Sequence, residues 1–174
     1  METLLDILKF TIPGLIVFAT AYFLLKLYLD DMQRTHQLAA RTEAQKVTIP
    51  LRLQAYERLT LLCDRLEITN VLLRIRMEGM TVSALKGALL LAIRQEFDHN
   101  TSQQLYVSDT LWKIITLAKD ETMNLVVLAA SGLDPQADDE QLIDNLLRLA
   151  ADQGQPSPLQ RAIMALRAEA SQLF

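Results

Sequence analysis

The feature that most constrains this chain is an apolar run near its N-terminus. Residues 10–25 are sixteen consecutive positions without a charged side chain, and only Lys9 and Lys26 interrupt a longer apolar run at residues 7–29. A helix needs about 20 mostly apolar residues to cross the roughly 30 Å hydrocarbon core of a bilayer, and lysines near its ends extend to the headgroups. The run predicts a transmembrane helix over residues 7–29, within an anchor at residues 1–29.

The predicted span carries features of a membrane helix at both ends. Tyr22 and Tyr28 lie toward its C-terminal end, where amphipathic rings favour the interface. Pro13 and Gly14 lie in its first half, where a missing amide donor can bend a helix. The residues expected in the span or at its interface are Lys9, Pro13, Gly14, Tyr22, Lys26 and Tyr28.

Two other interpretations of the run are weaker. A cleaved signal peptide needs a basic start, whereas Glu2 and Asp6 precede the first lysine. A buried core helix usually carries a polar stripe, and this run has none. More lysines and arginines follow the span than precede it, so the positive-inside rule predicts an outside N-terminus and a cytosolic C-terminal domain.

The rest of the chain has the pattern of helices. Residues 30–48 predict a helical stalk, because residues 30–46 lack Gly and Pro, and Pro50 then breaks and restarts the helix. Residues 49–174 predict a compact cytosolic bundle of about five helices, so the fold class is all-α. Residues 70–76 alternate as in a strand, but a lone strand would have no partner, which favours a short helix.

Helix starts are marked by capping residues in the second half of the chain. Thr81, Ser108 and the pair Ser157-Pro158 each precede a run of apolar residues at helical spacing. Asp138, Asp139 and Glu140 open another helix, where carboxylates favour the positive end of the dipole. Residues 99–104 are polar and predict a loop.

Few side chains of the sequence are suited to catalysis or to metal binding. Glu96 and His99 have the spacing of a di-iron site, but no second such pair exists, so we interpret them as a surface charge and a helix cap. Cys63 continues an apolar stripe, which favours a buried side chain over a nucleophile. We therefore expect no cofactor, no metal and no small-molecule substrate.

The charge balance of the chain is acidic. A pI of about 5.2 argues against a nucleic-acid-binding protein. Seven acidic and three basic residues fall in residues 134–174.

One polar stretch between two apolar helices is a candidate interaction loop. It is rich in hydrogen-bonding side chains, although caps and turn bonds are the simpler interpretation. The residues of this candidate site are His99, Asn100, Ser102, Gln103, Gln104, Tyr106 and Asp109.

Several stretches carry a resemblance that covers nearly the whole chain: IPLRLQAYERL at residues 49–59, RQEFDHN at 94–100, SQQLYVSD at 102–109 and the ending QLF. Together with the apolar N-terminus, the chain resembles an uncharacterised family of small single-pass membrane-anchored helical proteins of Bacteroidetes-type bacteria. The resemblance implies a bacterial inner membrane and supplies no site residues.

These observations predict a non-enzymatic, membrane-anchored adaptor or scaffold. The expected partners are the lipid bilayer and other membrane or cytosolic proteins, or further copies of the chain itself. An accessory subunit of a larger membrane complex is the alternative, and a metal-dependent enzyme is the weakest hypothesis.

Overall fold

A computed structural model of the chain describes residues 2–152 and 156–173, except for the side chains at 2–13, 34, 36–42 and 44. Within these ranges there is no strand, and the prediction of an all-α chain is confirmed. The elements are α1 (Glu2–Leu66), α2 (Ile68–Ile75), α3 (Val82–Asn100), α4 (Asp109–Ala129), α5 (Glu140–Asp152) and α6 (Pro158–Ala170), with 3₁₀ helices at Thr101–Tyr106 and Ser171–Leu173.

The predicted membrane anchor is wrong. Among the described residues, no helix combines the length and the apolar content that a bilayer crossing requires. The part of the predicted span whose side chains the structure describes is residues 14–29, which is about 24 Å of helix and less than the roughly 30 Å of a hydrocarbon core. Lys26 interrupts the apolar sequence, and Asp30 and Asp31 end it. The orientation and the inner-membrane localisation were inferred from this span and stay predictions.

The residues expected at the membrane interface lie along α1. Gly14, Tyr22, Lys26 and Tyr28 are exposed. The side chains of Lys9 and Pro13 lie outside the described residues.

The expected helix break at Pro50 is also absent, because α1 continues through this residue to Leu66. Proline removes one amide donor and crowds the carbonyl one turn earlier. Pro50 is exposed, so water can reach the carbonyl that loses its partner. Residues 30–48, the predicted stalk, are therefore part of α1. By its internal contacts the chain divides into two units, residues 1–48 and 49–174.

The core of the second unit is built from helix faces. Leu59 of α1, Leu89 of α3, Ile115 of α4, Leu146 of α5 and Leu166 of α6 are each at most 1% exposed. Burying such a side chain stabilises a fold by about 1.5–3 kcal/mol. Helix α4 packs against α3, α5 and α6, while α2 packs against α3 and α5. This arrangement places α2 beside α5.

The capping residues begin the helices as predicted. The hydroxyl of Thr81 accepts a hydrogen bond from the amide of Ala84 at 3.2 Å. The hydroxyl of Ser157 accepts one from the amide of Gln160 at 3.1 Å, and the Gln160 side chain accepts one in return from the Ser157 amide. Gly79, in the turn between α2 and α3, has a φ of 80° that suits glycine.

Candidate functional site

An open groove lies between α2 and α5. Its volume is about 420 Å³, and it is lined by Thr69, Leu72, Leu73, Arg76, Ile143 and Leu147. We call it the α2/α5 groove. Leu73 is 84% exposed and Leu147 is 43% exposed. Single exposed leucines are common on protein surfaces, but here two of them line one concave, mostly apolar feature. Such a concavity can accept an apolar side chain from another molecule.

A second cavity, of about 290 Å³, adjoins the groove. The two share Thr69 and Leu147, and the second extends toward the start of α6. There the hydroxyl of Ser157 donates a hydrogen bond to Oε1 of Glu67 at 2.6 Å. This bond connects the residue before α2 to the N-cap residue of α6.

An ion pair fixes the two walls of the groove to each other. Arg76, just after α2, donates from Nε and Nη2 to the two carboxylate oxygens of Asp139 at 3.0 and 3.1 Å. Asp139 is only 1% exposed. The hydrogen bonds to Asp139 and its negative charge raise the pKa of Arg76, although partial desolvation opposes them. The sequence indicated only a helix-capping role for Asp139, so this pairing was missed.

Backbone hydrogen bonds reinforce the same connection. The amide of Val82 donates to the carbonyl of Ala137 at 2.9 Å, and the amide of Ser83 donates to the carbonyl of Pro135 at 3.0 Å. The amide of Asp139 donates to the carbonyl of Met80 at 3.2 Å. The segment before α5 is therefore held against the start of α3, which keeps the α2/α5 groove in place.

A polar cluster forms a second candidate site, where α1 meets α6 and the start of α4. Arg52 donates from Nη2 to the hydroxyl of Tyr56 at 2.7 Å and from Nε to the carbonyl of Tyr106 at 3.1 Å. The Tyr56 hydroxyl donates to Oε1 of Glu169 at 3.0 Å. Ser108 donates to the same carboxylate from its amide, at 2.9 Å, and from its hydroxyl. We call these residues the Glu169 cluster.

The environment of the Glu169 cluster raises the pKa of Tyr56 and lowers the pKa of Glu169. Burial raises the pKa of Tyr56, and its hydrogen bond to Glu169 adds to this, while Arg52 opposes it. Burial would also raise the pKa of Glu169, but the hydrogen bonds from Ser108 and Tyr56 and the charge of Arg52 outweigh it. The net pKa of Glu169 is lowered. A neutral phenol bonded to a carboxylate holds helices together and presents no activated group to a substrate.

The stretch expected to be a polar interaction loop is helical. It forms the end of α3 and the 3₁₀ helix Thr101–Tyr106, because its side chains bond to the preceding turn. Nδ1 of His99 lies 3.1 Å from the carbonyl oxygen of Gln95, and Asn100 donates to the carbonyl of Glu96 at 2.9 Å.

The other residues of that candidate site are spread over the surface and the domain interior. Gln103 is buried and donates to the Ser102 hydroxyl at 3.3 Å, while Gln104 is exposed. Tyr106 enters the Glu169 cluster through its carbonyl, and Asp109 is the first residue of α4. The structure does not gather these side chains into one site.

The remaining reactive groups are engaged inside the domain. Oε2 of Glu96, which we expected to be a surface charge, lies 3.3 Å from Nη2 of Arg65 and 3.5 Å from Nη1 of Arg74 and forms an ion pair with both arginines. Cys63 is fully buried, and burial raises its pKa to about 12. In the part of the chain that the structure describes, no three His, Cys, Asp or Glu residues converge to hold a metal ion.

Sequence reasoning also missed the α2/α5 groove. Its walls come from residues about 70 positions apart, so no local pattern marks it. The one available signal was Leu73, an apolar residue that lies outside the buried face of α2 formed by Ile68, Val71 and Leu72 and is followed by a charged residue.

Comparison with known proteins gives a family and nothing more specific. No curated protein and no solved structure matches the chain. The profile of the family of unknown function DUF7935 matches residues 2–173, which is nearly the whole sequence. The chain therefore belongs to the DUF7935 family.

Proposed function

We propose that this chain is a non-enzymatic adaptor or scaffold, whose helical domain at residues 49–174 binds a helix of another protein in the α2/α5 groove. The observation that carries the proposal is the 84% exposure of Leu73 at the edge of an apolar concavity. An amphipathic partner helix lays its apolar face into such a groove, and the apolar side chains of that face anchor it there.

The fixed position of the groove supports this role. Arg76 and Asp139 join its two sides through two hydrogen bonds. A preorganised surface loses less conformational entropy when a partner binds. The groups best suited to chemistry, by contrast, are committed to structure: Cys63 is fully buried, and the Tyr56 hydroxyl bonds both Arg52 and Glu169.

Site-specific crosslinking in cells tests this function. A photoreactive amino acid at position 73 should capture a partner protein, and Leu147→Ser should abolish the crosslink. The matched control is the same probe at Leu105, which is 79% exposed but lies in the 3₁₀ helix outside the groove. Equal capture from both positions, or capture unaffected by Leu147→Ser, would contradict the proposal.

A second candidate function is favoured by a separate observation on α1. Residues 15–32 include twelve large apolar side chains, each between 45% and 71% exposed. Soluble monomers rarely expose contiguous apolar patches larger than a few hundred Å². An accessory subunit of a larger assembly would have this surface covered by neighbouring subunits or by other copies of the chain.

The native mass of the full chain tests this alternative. Ala19 and Ala21 are small residues within the apolar stretch, so replacing both with Trp should disturb close helix packing and lower the native mass. Ala84→Trp, at an exposed position on α3, is the control. A native mass equal to that of one chain before any substitution would exclude the subunit role.

A further inference from the structure

We infer that the occupant of the α2/α5 groove is an amphipathic helix that carries basic residues beside its apolar face. This inference rests on the proposed adaptor function and specifies the chemistry of the partner. It follows from the size of the groove and from the charges at its rim.

The dimensions of the groove fit a short helical segment. Helix α2 has eight residues, so the wall that it forms is about 12 Å long, which matches about two turns of a docked helix. Leu72 and Leu73 supply one apolar wall, and Ile143 and Leu147 supply the other. Two turns present two or three apolar side chains at helical spacing along one face.

The rim contributed by α5 is acidic. Glu140 lies three residues before Ile143, and Asp144 lies three residues before Leu147, so each carboxylate neighbours a groove residue on the helix surface. Glu140 and Asp144 are both exposed. Neither forms an ion pair within the described ranges.

The cations near the groove offset only part of these charges. Arg148, exposed on α5 four residues after Asp144, donates to Oδ1 of Asn145 at 3.3 Å, and the charge of Glu140 acts on Arg76. Arg76 is bonded to both oxygens of Asp139. Arg74 is directed to the carbonyl of Arg65 and to the carboxylate of Glu96. The four carboxylates of this segment, at Asp138, Asp139, Glu140 and Asp144, are accompanied by two arginines, Arg76 and Arg148. The groove therefore presents apolar walls with a net negative charge along one side, which attracts a basic helix and repels an acidic one.

Synthetic peptides of about four helical turns test the inference on the full chain. One peptide combines leucine with lysine in an amphipathic pattern, and two others replace every lysine with glutamate or glutamine. Fluorescence polarisation should give the tightest binding for the lysine peptide. The paired substitution Glu140→Gln with Asp144→Asn should weaken that binding about tenfold, and added salt should weaken it in the same direction.

A matched variant separates the groove from general electrostatic attraction. Glu57→Gln with Asp98→Asn removes the same two charges at exposed positions on α1 and α3, and it should change the affinity less than about twofold. Equal weakening by both pairs of substitutions would overturn the inference.

A third variant distinguishes the failure of this inference from the failure of the adaptor function. Leu73→Ser should reduce the binding of any peptide that occupies the groove. If the glutamine or glutamate peptide binds as tightly as the lysine peptide and Leu73→Ser weakens it, the basic character of the partner is wrong and the groove is still a docking site. If Leu73→Ser affects no peptide, both proposals fail.

Discussion

Among single residues, Asp139 is the carboxylate on which the geometry of the groove most depends. It is 1% exposed, and both of its oxygens accept hydrogen bonds from Arg76. Asp139→Asn preserves the shape and removes the charge, so the side chain loses charge-assisted hydrogen bonds and leaves polar atoms poorly paired. We expect urea denaturation to give a free energy of unfolding lower by about 2 kcal/mol.

The substitution Glu57→Gln is the control for Asp139→Asn. Glu57 is exposed and forms no ion pair in the described part of the chain, so its loss should change the free energy of unfolding by less than about 0.5 kcal/mol. A similar loss of stability in both variants would mean that the buried pairing contributes nothing specific.

The carboxylate of Glu169 makes the stability of the fold depend on pH. Its pKa in the folded chain lies below the ordinary value of 4.5, because the hydrogen bonds from Ser108 and Tyr56 and the charge of Arg52 outweigh the effect of burial. The lowered pKa means that Glu169 stabilises the fold at pH values above about 4.5 and that this contribution is lost as pH falls through the folded pKa.

Glu169→Gln should therefore flatten the acid limb of the stability curve. The wild-type chain should lose stability more steeply than the variant as pH falls below about 4.5. Urea denaturation at a series of pH values measures this difference, and Glu57→Gln, at an exposed position, is the control. Parallel curves for the wild-type chain and Glu169→Gln would show that the cluster does not hold the carboxylate in its charged form.

Among the secondary structure elements, those with local signals are the ones that the sequence predicts well. The caps at Thr81 and Ser157 bond to amides three residues later, so the whole interaction lies within a short stretch of sequence. The same applies to the short helix α2, which the sequence predicted over residues 70–76 and the structure has at Ile68–Ile75. Where the interacting residues are close in sequence, composition and spacing are sufficient to predict the element.

Interactions between distant elements could not be predicted in the same way. Arg76 and Asp139 are 63 residues apart, and Tyr56 and Glu169 are 113 residues apart. Nothing in the sequence near any of these residues specifies its partner, because the pairing depends on how the helices pack. The α2/α5 groove was missed for the same reason, and the Glu169 cluster with it.

The continuity of α1 through Pro50 can be tested with a single substitution. Proline in a helix interior costs about 3 kcal/mol relative to alanine, whereas proline in the first turn of a helix costs little. Because α1 is continuous here, Pro50→Ala should restore a backbone hydrogen bond and raise both the helical content and the melting temperature. Circular dichroism measures both quantities.

A proline elsewhere provides the control for Pro50→Ala. Pro158 is the first residue of α6, where its ring suits the helix start. Pro158→Ala should leave the melting temperature unchanged or lower it slightly. If Pro50→Ala behaves like Pro158→Ala, then the helix begins at Pro50, as the sequence predicted, and is not continuous.

At the scale of the whole chain, the buried core that the described residues form lies in one of the two units. Every buried apolar residue among those that the structure describes lies between Ala55 and Leu166, inside the unit at residues 49–174. The α2/α5 groove and the Glu169 cluster belong to the same unit. The unit at residues 1–48 has instead the exposed apolar side chains of α1. Folding and the proposed groove therefore depend on the same part of the chain.

This division predicts that residues 49–174 fold alone. A fragment of this length is large enough to bury most of its apolar surface, and it retains all the described core residues. It should unfold in one cooperative transition, within a few degrees of the transition of the helical domain in the full chain. Leu89→Ala in the fragment is the control, since a cavity at this fully buried position should cost about 2–5 kcal/mol. A fragment that lacks a cooperative transition would contradict the prediction.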